Sequence, residues 1–195
     1  RKSCYGEMEQ FDGSYEYWFE NRGEKCCLLA SIDDATGEVT QAQFEEHEGV
    51  FPVMGFWEKY VTRHGKPRSI YLDKFSTYKM NQRVASENED TLTQFGRGAK
   101  TLDIELISAQ SPEAKGRVER LFKTLQDRLI KEMRLEKINT KKEGNRFLEE
   151  IFLPKYNAMF RVEARRKANM HRALNKEEKK EIGNILCRHT KRTVQ

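Results

Sequence analysis

The chain has 195 residues, of which 37% are hydrophobic and 34% are charged, which is the size of one domain with enough apolar side chains for a core. The composition excludes collagen and disulfide-rich scaffolds. Because no apolar run approaches 18 residues and no secretory leader pattern is present, we expect neither a membrane-spanning helix nor a signal peptide.

The net charge of +5 is divided unevenly along the chain. Residues 1–113 hold 13 Lys and Arg against 20 Asp and Glu, whereas residues 114–195 hold 23 against 11. A basic second half suits a surface that binds a polyanion such as nucleic acid, although solvated basic helices have the same composition. The four cysteines contain no C-x-x-C pair, and the four histidines are far apart, so neither a zinc ribbon nor a histidine metal site is expected.

The first third of the chain has the pattern of three antiparallel strands. Residues 7–12 form a short strand that ends at Gly13. Residues 25–32 are an apolar run too short for a helix, and residues 39–44 alternate with a period of two. The turn-forming residues 33–37 lie between the last two strands, and we therefore expect a hairpin there.

Helical and extended patterns alternate in the middle of the chain. From Val50 onward apolar residues recur every three or four positions, which predicts a helix that stops at Gly65. Residues 69–72 predict a strand that ends at Asp73, and the polar residues 79–100 predict a mobile excursion around a short helix. The alternation in residues 102–106 predicts a last strand with one wet face, which carries Asp103 and Glu105.

The second half of the chain has helical patterns. Ser111-Pro112 predicts a helix start, and the apolar stripe behind it reaches the charged turn near Lys137. A second helix is predicted from Lys142, with Pro154 as a break. Asn175 is a plausible cap for a helix over residues 176–186.

This order of elements predicts an α/β fold with a mixed sheet of about five strands flanked by helices. Ligand chemistry in such sheets lies beyond strand ends, where Asp12 and Asp73 stand, and Glu119 lies on the long helix of the second half. Three carboxylates from three elements suit Mg²⁺ or Mn²⁺, which prefer oxygen ligands. Two such ions could clamp the attacking and leaving oxygens of a phosphodiester, so the site would cut or join nucleic acid.

At these residues the sequence resembles the catalytic core of DDE transposases and retroviral integrases, which have the RNase H-like fold. The resemblance covers roughly residues 7–162 in consistent order, and bacterial insertion-sequence transposases are the more similar branch. Four motifs carry it: Glu9–Ser14 with Tyr17-Trp18, Ser31–Gly37, Gly65–Asp73 and Ser111–Arg120.

The resemblance implies a polynucleotidyl transferase that nicks the ends of a mobile element and joins the 3′-OH to target DNA. It places the catalytic and metal-binding residues at Asp12, Asp73 and Glu119, with two Mg²⁺ or Mn²⁺ ions as cofactors. It also implies DNA as the partner, a homo-oligomer, a bacterial cytoplasmic and nucleoid-associated location, and no membrane or small-molecule substrate. Residues 1–162 would be the core, with a polar insertion at about 79–100, and residues 163–195 a basic helical connector toward a C-terminal module missing from this chain.

DNA contacts are expected from two groups of basic residues. A lysine one turn after the catalytic glutamate contacts terminal DNA in integrases and falls on Lys123, whereas the next family lysine falls on Gln126, which puts that second contact in doubt. Lys123 could equally pair with Asp127 on a solvated helix face. The remaining candidates are Lys115, Arg117 and Arg120 around the glutamate, and the basic run Arg161, Arg165, Arg166, Lys167 and Arg172.

Several assignments have a plain alternative. Asp12 and Asp73 could be ordinary residues of strand-end turns. Glu119 competes with Glu113, which lies where a helix N-terminus favours an acid in any case. Asp33-Asp34 is interpreted as a hairpin turn without a role in ligation. At the level of function, the rivals are an RNase H-like hydrolytic nuclease and a domesticated core that binds DNA without catalysis.

Overall fold

The computed structural model describes residues 1–72, 94–108 and 116–190. The strands are β1 (Cys4–Tyr5), β2 (Glu9–Glu16), β3 (Cys26–Asp33), β4 (Val39–Glu45), β5 (Ser69–Leu72), β6 (Glu105–Ser108) and β7 (Arg166–Asn169). The helices are α1 (Val50–His64), α2 (94–101), α3 (Gly116–Leu135), α4 (Lys141–Phe147), α5 (Leu153–Phe160) and α6 (Lys176–Ile185), and Leu148–Phe152 forms a π-helical turn between α4 and α5.

Five strands form one mixed sheet in the order β4-β3-β2-β5-β6. β2, β3 and β4 are antiparallel, and β5 joins β2 in parallel with Glu9 beside Ile70 and Gln10 beside Tyr71. β6 runs parallel to β5. The predicted α/β fold with a five-stranded mixed sheet is therefore confirmed.

Two apolar cores lie on opposite faces of the sheet, and β3 contributes to both because successive side chains of a strand point to opposite faces. Leu28 and Ala30 belong to the core formed with α3, α4 and α5. Leu29, on the other face, packs with α1, α2 and the residues around α6. Every residue of β3 is buried, so the sheet is covered on both sides.

The open edge of the sheet at β4 is protected by two asparagines from the helical layer. The side-chain amide of Asn145 in α4 both accepts from the Phe44 N–H, at 2.6 Å, and donates to the Phe44 carbonyl. Asn157 in α5 binds the N–H and carbonyl of Val39 in the same way, at 2.9 Å each. These amides replace the hydrogen bonds of a further strand, which an exposed edge would otherwise offer to another chain.

Two sequence-based expectations about strand boundaries are wrong. β2 does not end at Gly13 but continues to Glu16, because β3 pairs with it along its whole length. Residues 102–104 are not part of the last strand; they form a turn in which Asp103 has a positive φ of 54°. Leu102 and Ile104 are nevertheless buried. The alternation of apolar and polar residues therefore reflects which side chains are buried, whereas the strand itself begins at Glu105.

Pro154 does not break the second long helix. It lies in the first turn of α5, directly after the π-helical turn, so the chain stays helical from Lys141 to Phe160. A π-turn opens the regular hydrogen-bond ladder at one point, and the missing N–H of proline is tolerated there. The predicted helix start at Ser111-Pro112 and residues 79–93 of the predicted excursion lie outside the described residues.

The segment after residue 162 packs against the rest of the chain and is only partly helical. β7 pairs with β1 in parallel, and Arg172 forms an antiparallel bridge with Lys66. Leu174 and Leu186 are buried in the core on the α1 face. Asn175 caps α6 in a capping box with Glu178, as the sequence predicts. A domain boundary at residue 162 stays a prediction.

Two helix glycines offer a matched pair of substitutions. A Cβ at Gly144 in α4 would lie 2.9 Å from the Phe44 ring and 3.2 Å from the Phe19 ring, whereas a Cβ at Gly55 in α1 would meet no atom within 4 Å. Alanine is favoured over glycine in a helix by roughly 1 kcal/mol. Gly55→Ala should therefore raise the free energy of unfolding by about 0.5–1 kcal/mol, and Gly144→Ala should lower it by about 1–2 kcal/mol through overpacking. Urea unfolding of both variants measures this, and shifts of the same sign would contradict it.

Within the described residues, no helix is both long enough and apolar enough to cross a bilayer.

Candidate active site

Asp12 lies in the middle of β2 on the face that α3 covers. Its neighbours two residues away on the same face are both bound to that helix: the Gln10 side-chain oxygen accepts from the Val118 N–H at 3.3 Å, and Gln126 Nε2 lies 3.4 Å from Ser14 Oγ. Because side chains alternate along a strand, Asp12 also faces α3. One Asp12 oxygen accepts from the Gly13 N–H at 3.0 Å, which orients the carboxylate.

Glu119 belongs to the stripe of α3 that lies along β2. It follows Val118, whose N–H is bound to Gln10, and it stands seven residues, or two helical turns, before Gln126, which reaches Ser14. The α3 axis therefore runs along β2 past Asp12, with Glu119 near its start. The carboxylate is exposed and makes no hydrogen bond or ion pair with the other residues that the structure describes.

Asp34 fixes the start of α3 against the sheet, a role that the sequence interpretation missed. One of its oxygens accepts from Gln10 Nε2 at 2.9 Å and from Arg117 Nε at 2.7 Å. The other accepts from the Lys2 N–H at 2.6 Å. The Asp34 carboxylate thus ties the residue two before Asp12 to the residue two before Glu119.

Arg117 is one of the predicted DNA contacts, but its guanidinium is engaged within the protein. Its side chain is 18% exposed and pairs with Asp34, which is 9% exposed. Charge-assisted hydrogen bonds between partly buried groups are stronger than those at the surface, which favours a structural role for Arg117. The other predicted basic residues on α3, Arg120 and Lys123, are exposed.

Two predicted site residues, Asp73 and Lys115, lie outside the described residues. Asp73 is bonded to Leu72, the last residue of β5, and β5 lies beside β2. Within residues 1–72, 94–108 and 116–190, no group of three or more His, Cys, Asp or Glu side chains is arranged to hold a metal ion. The described part of the site therefore supplies two carboxylates, from Asp12 and Glu119.

The basic run after α5 lies at the end of the sheet where β2 begins. Arg161 forms an ion pair with Glu38 at 3.1 Å, and Val162 N–H binds the carbonyl of Thr36 in the β3–β4 turn. Arg172 is paired with Asp103. The other members, Arg165, Arg166 and Lys167, are exposed in and beside β7. Of this predicted group, these three are the members available to an external phosphate.

The interpretation of Asp33 as a turn residue agrees with its contacts. The carboxylate is buried and accepts from the N–H and hydroxyl of Thr36, both at 2.7 Å, and from the Gly6 N–H at 2.9 Å. Gly37, which closes the turn, has a φ of +73°, the left-handed region that favours glycine. All of these bonds stabilise the turn, and none faces the Asp12 region.

Glu9 is a fully buried carboxyl on the face of β2 opposite Asp12. It accepts from the Thr40 hydroxyl at 2.6 Å. Burial holds its pKa well above the ordinary value, and the nearby Asp33 carboxylate acts in the same direction. The folded protein therefore keeps a proton that the unfolded chain releases, and the free energy of unfolding should fall as the pH rises above the ordinary pKa of glutamic acid.

Glu9→Gln should remove this pH dependence. The variant has no carboxyl group at this position, so its free energy of unfolding should change less between pH 5 and 8 than that of the wild type, by at most about 1.4 kcal/mol per pH unit. It should also be more stable than the wild type at pH 8. Urea unfolding at both pH values measures this. Glu149→Gln, which alters a surface ion pair with Arg63, is the control and should leave the slope unchanged. Equal slopes for Glu9→Gln and the wild type would contradict the prediction.

Sequence comparison relates the chain to transposases. It is 42% identical over 194 residues to the putative transposase y4bF of Sinorhizobium fredii, a match that covers all of this chain and 42% of that protein. It is 39% identical over 150 residues to the transposase for insertion sequence IS1202 of Streptococcus pneumoniae, covering 76% of this chain and 32% of that protein.

The chain is thus similar in sequence to two bacterial transposases. It spans less than half the length of these two proteins. No family model matches it.

Solved structures show the same fold in retroviral integrases. The HTLV-2 integrase catalytic core domain in complex with magnesium, in its trimeric form, aligns with a TM-score of 0.53 and 17% identity, covering 77% of this chain and 90% of that one. The simian T-cell lymphotropic virus intasome aligns with a TM-score of 0.56 and 16% identity, covering 77% of this chain and 51% of that one. The resemblance to transposase and integrase cores is thus confirmed, and with it the RNase H-like fold.

Proposed function

We propose that this chain is the catalytic core of a DNA transposase that nicks the ends of its element and joins the resulting 3′-OH to target DNA. The relationship to two transposases supports DNA as the substrate class. The observation that carries the proposal is the course of α3 along β2, fixed by the Gln10–Val118 and Ser14–Gln126 contacts, because it brings Asp12 and Glu119 to the same side of the sheet.

Asp12, Asp73 and Glu119 would hold two Mg²⁺ or Mn²⁺ ions. The donor set fits this group, since all three ligands are carboxylates and these ions prefer oxygen. Asp73 would complete the set from the residue after Leu72 in β5, the neighbour of β2. Bound ions would stabilise charge on both the attacking and the leaving oxygen of an in-line phosphoryl transfer. A magnesium complex of the HTLV-2 integrase core is consistent with this choice of metal.

The protein's own residues orient the reactants. The Gly13 N–H holds the Asp12 carboxylate, and the contacts of Asp34 with Gln10 and Arg117 hold the start of α3, so both carboxylates are positioned before DNA binds. The exposed side chains of Arg120 and Lys123 on α3 would contact phosphates, together with Lys115. Arg165, Arg166 and Lys167 would extend this contact with DNA phosphates near the start of β2. Arg161 would contribute less, because it already forms an ion pair with Glu38.

We further propose that several protomers act together on two element ends, and that the protein works in the bacterial cytoplasm on the nucleoid. The assay that tests the function uses the full-length protein, Mn²⁺ and a pre-cut DNA end with a free 3′-OH. The expected result is a product in which the end is joined to target DNA. Hydrolysis without joined products would instead indicate a nuclease, and DNA binding without either reaction would indicate a non-catalytic core.

A further inference from the structure

Two exposed tyrosines stand where β2 ends. Tyr15 is 42% exposed and Tyr17 is 60% exposed, whereas the next aromatic residue, Trp18, is fully buried and donates from its indole N–H to the Ser14 carbonyl. Tyr17 and Trp18 are adjacent in the first of the motifs that carry the resemblance. The structure separates them, because Trp18 belongs to the core and the two tyrosines do not.

A lysine from the neighbouring strand lies over both tyrosine rings. Lys25 directly precedes β3, next to the last β2–β3 pair, Glu16 with Cys26. Its Nζ is 5.1 Å from the centroid of the Tyr15 ring and 5.5 Å from that of Tyr17. Both distances are within the range of cation–π attraction. The three side chains therefore form one surface, here called the tyrosine platform, with two ring systems and one cation.

The tyrosine platform lies on the same strand as Asp12. Tyr15 follows Asp12 by three residues, or about 10 Å along a strand, and because side chains alternate its ring lies on the face of β2 opposite Asp12; its backbone pairs with Cys27, as that of Asp12 pairs with Ala30. The strand thus carries a proposed catalytic carboxylate at its middle and exposed aromatic rings at its end. Within the described residues, β5 pairs with β2 only at Glu9 and Gln10, so DNA that follows this edge of β2 from Asp12 toward the end of the strand would reach the rings.

We propose that the tyrosine platform binds unpaired nucleotides of DNA, with bases stacked on the rings of Tyr15 and Tyr17 and Lys25 at a phosphate. The proposal rests on the proposed function for the presence of DNA at this edge. Aromatic rings bind single strands because every base has a face that can stack. Bases within a duplex are already stacked on one another, so the platform selects the melted or frayed DNA beside a cut.

The charges around the tyrosine platform indicate that its affinity for DNA comes from base stacking and not from phosphate binding. Glu24 precedes Lys25 in sequence, and Glu16 pairs with Cys26 on the neighbouring strand. Both are exposed, so the platform carries one cation among acidic neighbours. A surface of this kind cannot act as a multivalent phosphate clamp, whose affinity falls steeply with salt. The contribution of the tyrosine rings to binding should therefore depend weakly on salt concentration.

The test compares binding of the full-length protein to a single-stranded oligonucleotide and to the same sequence as a duplex. Replacing both tyrosines by alanine should weaken single-strand binding about tenfold or more, on the scale of known base–aromatic stacking, and leave duplex binding unchanged. Replacing both by phenylalanine should keep single-strand binding, since the rings remain. Single-strand binding that is unchanged in the alanine variant, or lost equally in the phenylalanine variant, overturns the proposal.

Two further variants define the cause. Phe160→Ala is the matched control, because Phe160 is 41% exposed and lies under Arg128 at 5.1 Å, near the start of β2 and not at its end, where the platform lies. It should not affect single-strand binding, and a loss equal to that of the tyrosine variant would overturn the proposal. Lys25→Gln should lower the slope of log affinity against log salt by about 0.7, the value for one phosphate contact on a single strand.

A measurement on the unaltered protein guards against a folding defect in the variants. Photocross-linking to an oligonucleotide that contains 5-iodouracil should yield an adduct in the peptide that includes residues 15–17, and adducts only elsewhere would overturn the proposal. Asp12→Asn separates this inference from the proposed function. If that variant joins DNA normally, the proposed function fails, whereas the platform is judged by single-strand binding alone.

Discussion

Glu119→Gln is expected to lower the rate of metal-dependent DNA strand transfer by at least about a hundredfold. The substitution keeps the size of the side chain and removes the charge that would bind a divalent ion, and metal ions stabilise such transition states by several kcal/mol. Because Glu119 is exposed and bound to none of the described residues, the fold should not change. Strand transfer from a pre-cut end in Mn²⁺ measures the rate, and the urea midpoint confirms the stability.

Asp127→Asn is the control for this prediction. Asp127 lies on the same helix, is 67% exposed and pairs with Lys131 one turn later, and such surface pairs contribute little. Its variant should transfer strands at the wild-type rate. Asp12→Asn should behave like Glu119→Gln, because both carboxylates belong to the proposed metal site. A Glu119→Gln protein that joins DNA as fast as the Asp127→Asn protein would show that the site is assigned wrongly.

The second large effect is expected at Asp34. Asp34→Ala leaves the Arg117 guanidinium without its ion-pair partner in a site where the two side chains are 18% and 9% exposed. Removing one partner of such a buried pair costs about 3 kcal/mol in the free energy of unfolding. The loss also releases Gln10 and the start of α3, so strand transfer should fall in the protein that remains folded. Urea unfolding and the strand-transfer assay, done below the unfolding transition, measure both effects.

A double variant shows whether the loss of stability in Asp34→Ala comes from an unpaired buried charge or from a general packing defect. Asp34→Leu combined with Arg117→Met removes both charges, and apolar replacement of a buried pair is often neutral for stability. We therefore expect the double variant to recover most of the lost stability while strand transfer stays low, because the hydrogen bond from Gln10 to Asp34 is still absent. Full recovery of activity would show that this bond does not position the site.

Much of the fold follows from patterns that are local in sequence. The eight-residue apolar run of β3, the alternation of β4 and the apolar stripes of α1 and α3 each predict their own element, and the structure contains all four. Errors arose where two influences oppose each other. Pro154 disfavours a regular helix, but a π-helical turn accommodates it, and the alternation across residues 102–104 reflects burial in a turn.

The candidate site was predicted from its carboxylates but not from what positions them. Gln10, Asp34 and Arg117 are far apart in the chain and meet only in the folded structure. Gln10 carried no signal beyond its place two residues before Asp12, and Asp34 was interpreted as a turn residue because Gly37 follows it. Arg117 looked like a DNA contact because composition cannot distinguish a paired arginine from a free one. An ion pair between residues far apart in the chain produces no periodic pattern, so a single sequence does not predict it.

The pairing of β1 with β7 has a consequence for biosynthesis. Cys4 and Arg166 are partners from nearly opposite ends of the chain, and Arg166 N–H binds the Ser3 carbonyl. During synthesis, β1 must therefore wait until the ribosome has made β7, about 160 residues later, before it has a neighbouring strand. Contacts of such long sequence separation slow folding, so β1 should stay open to proteases until β7 has been synthesised.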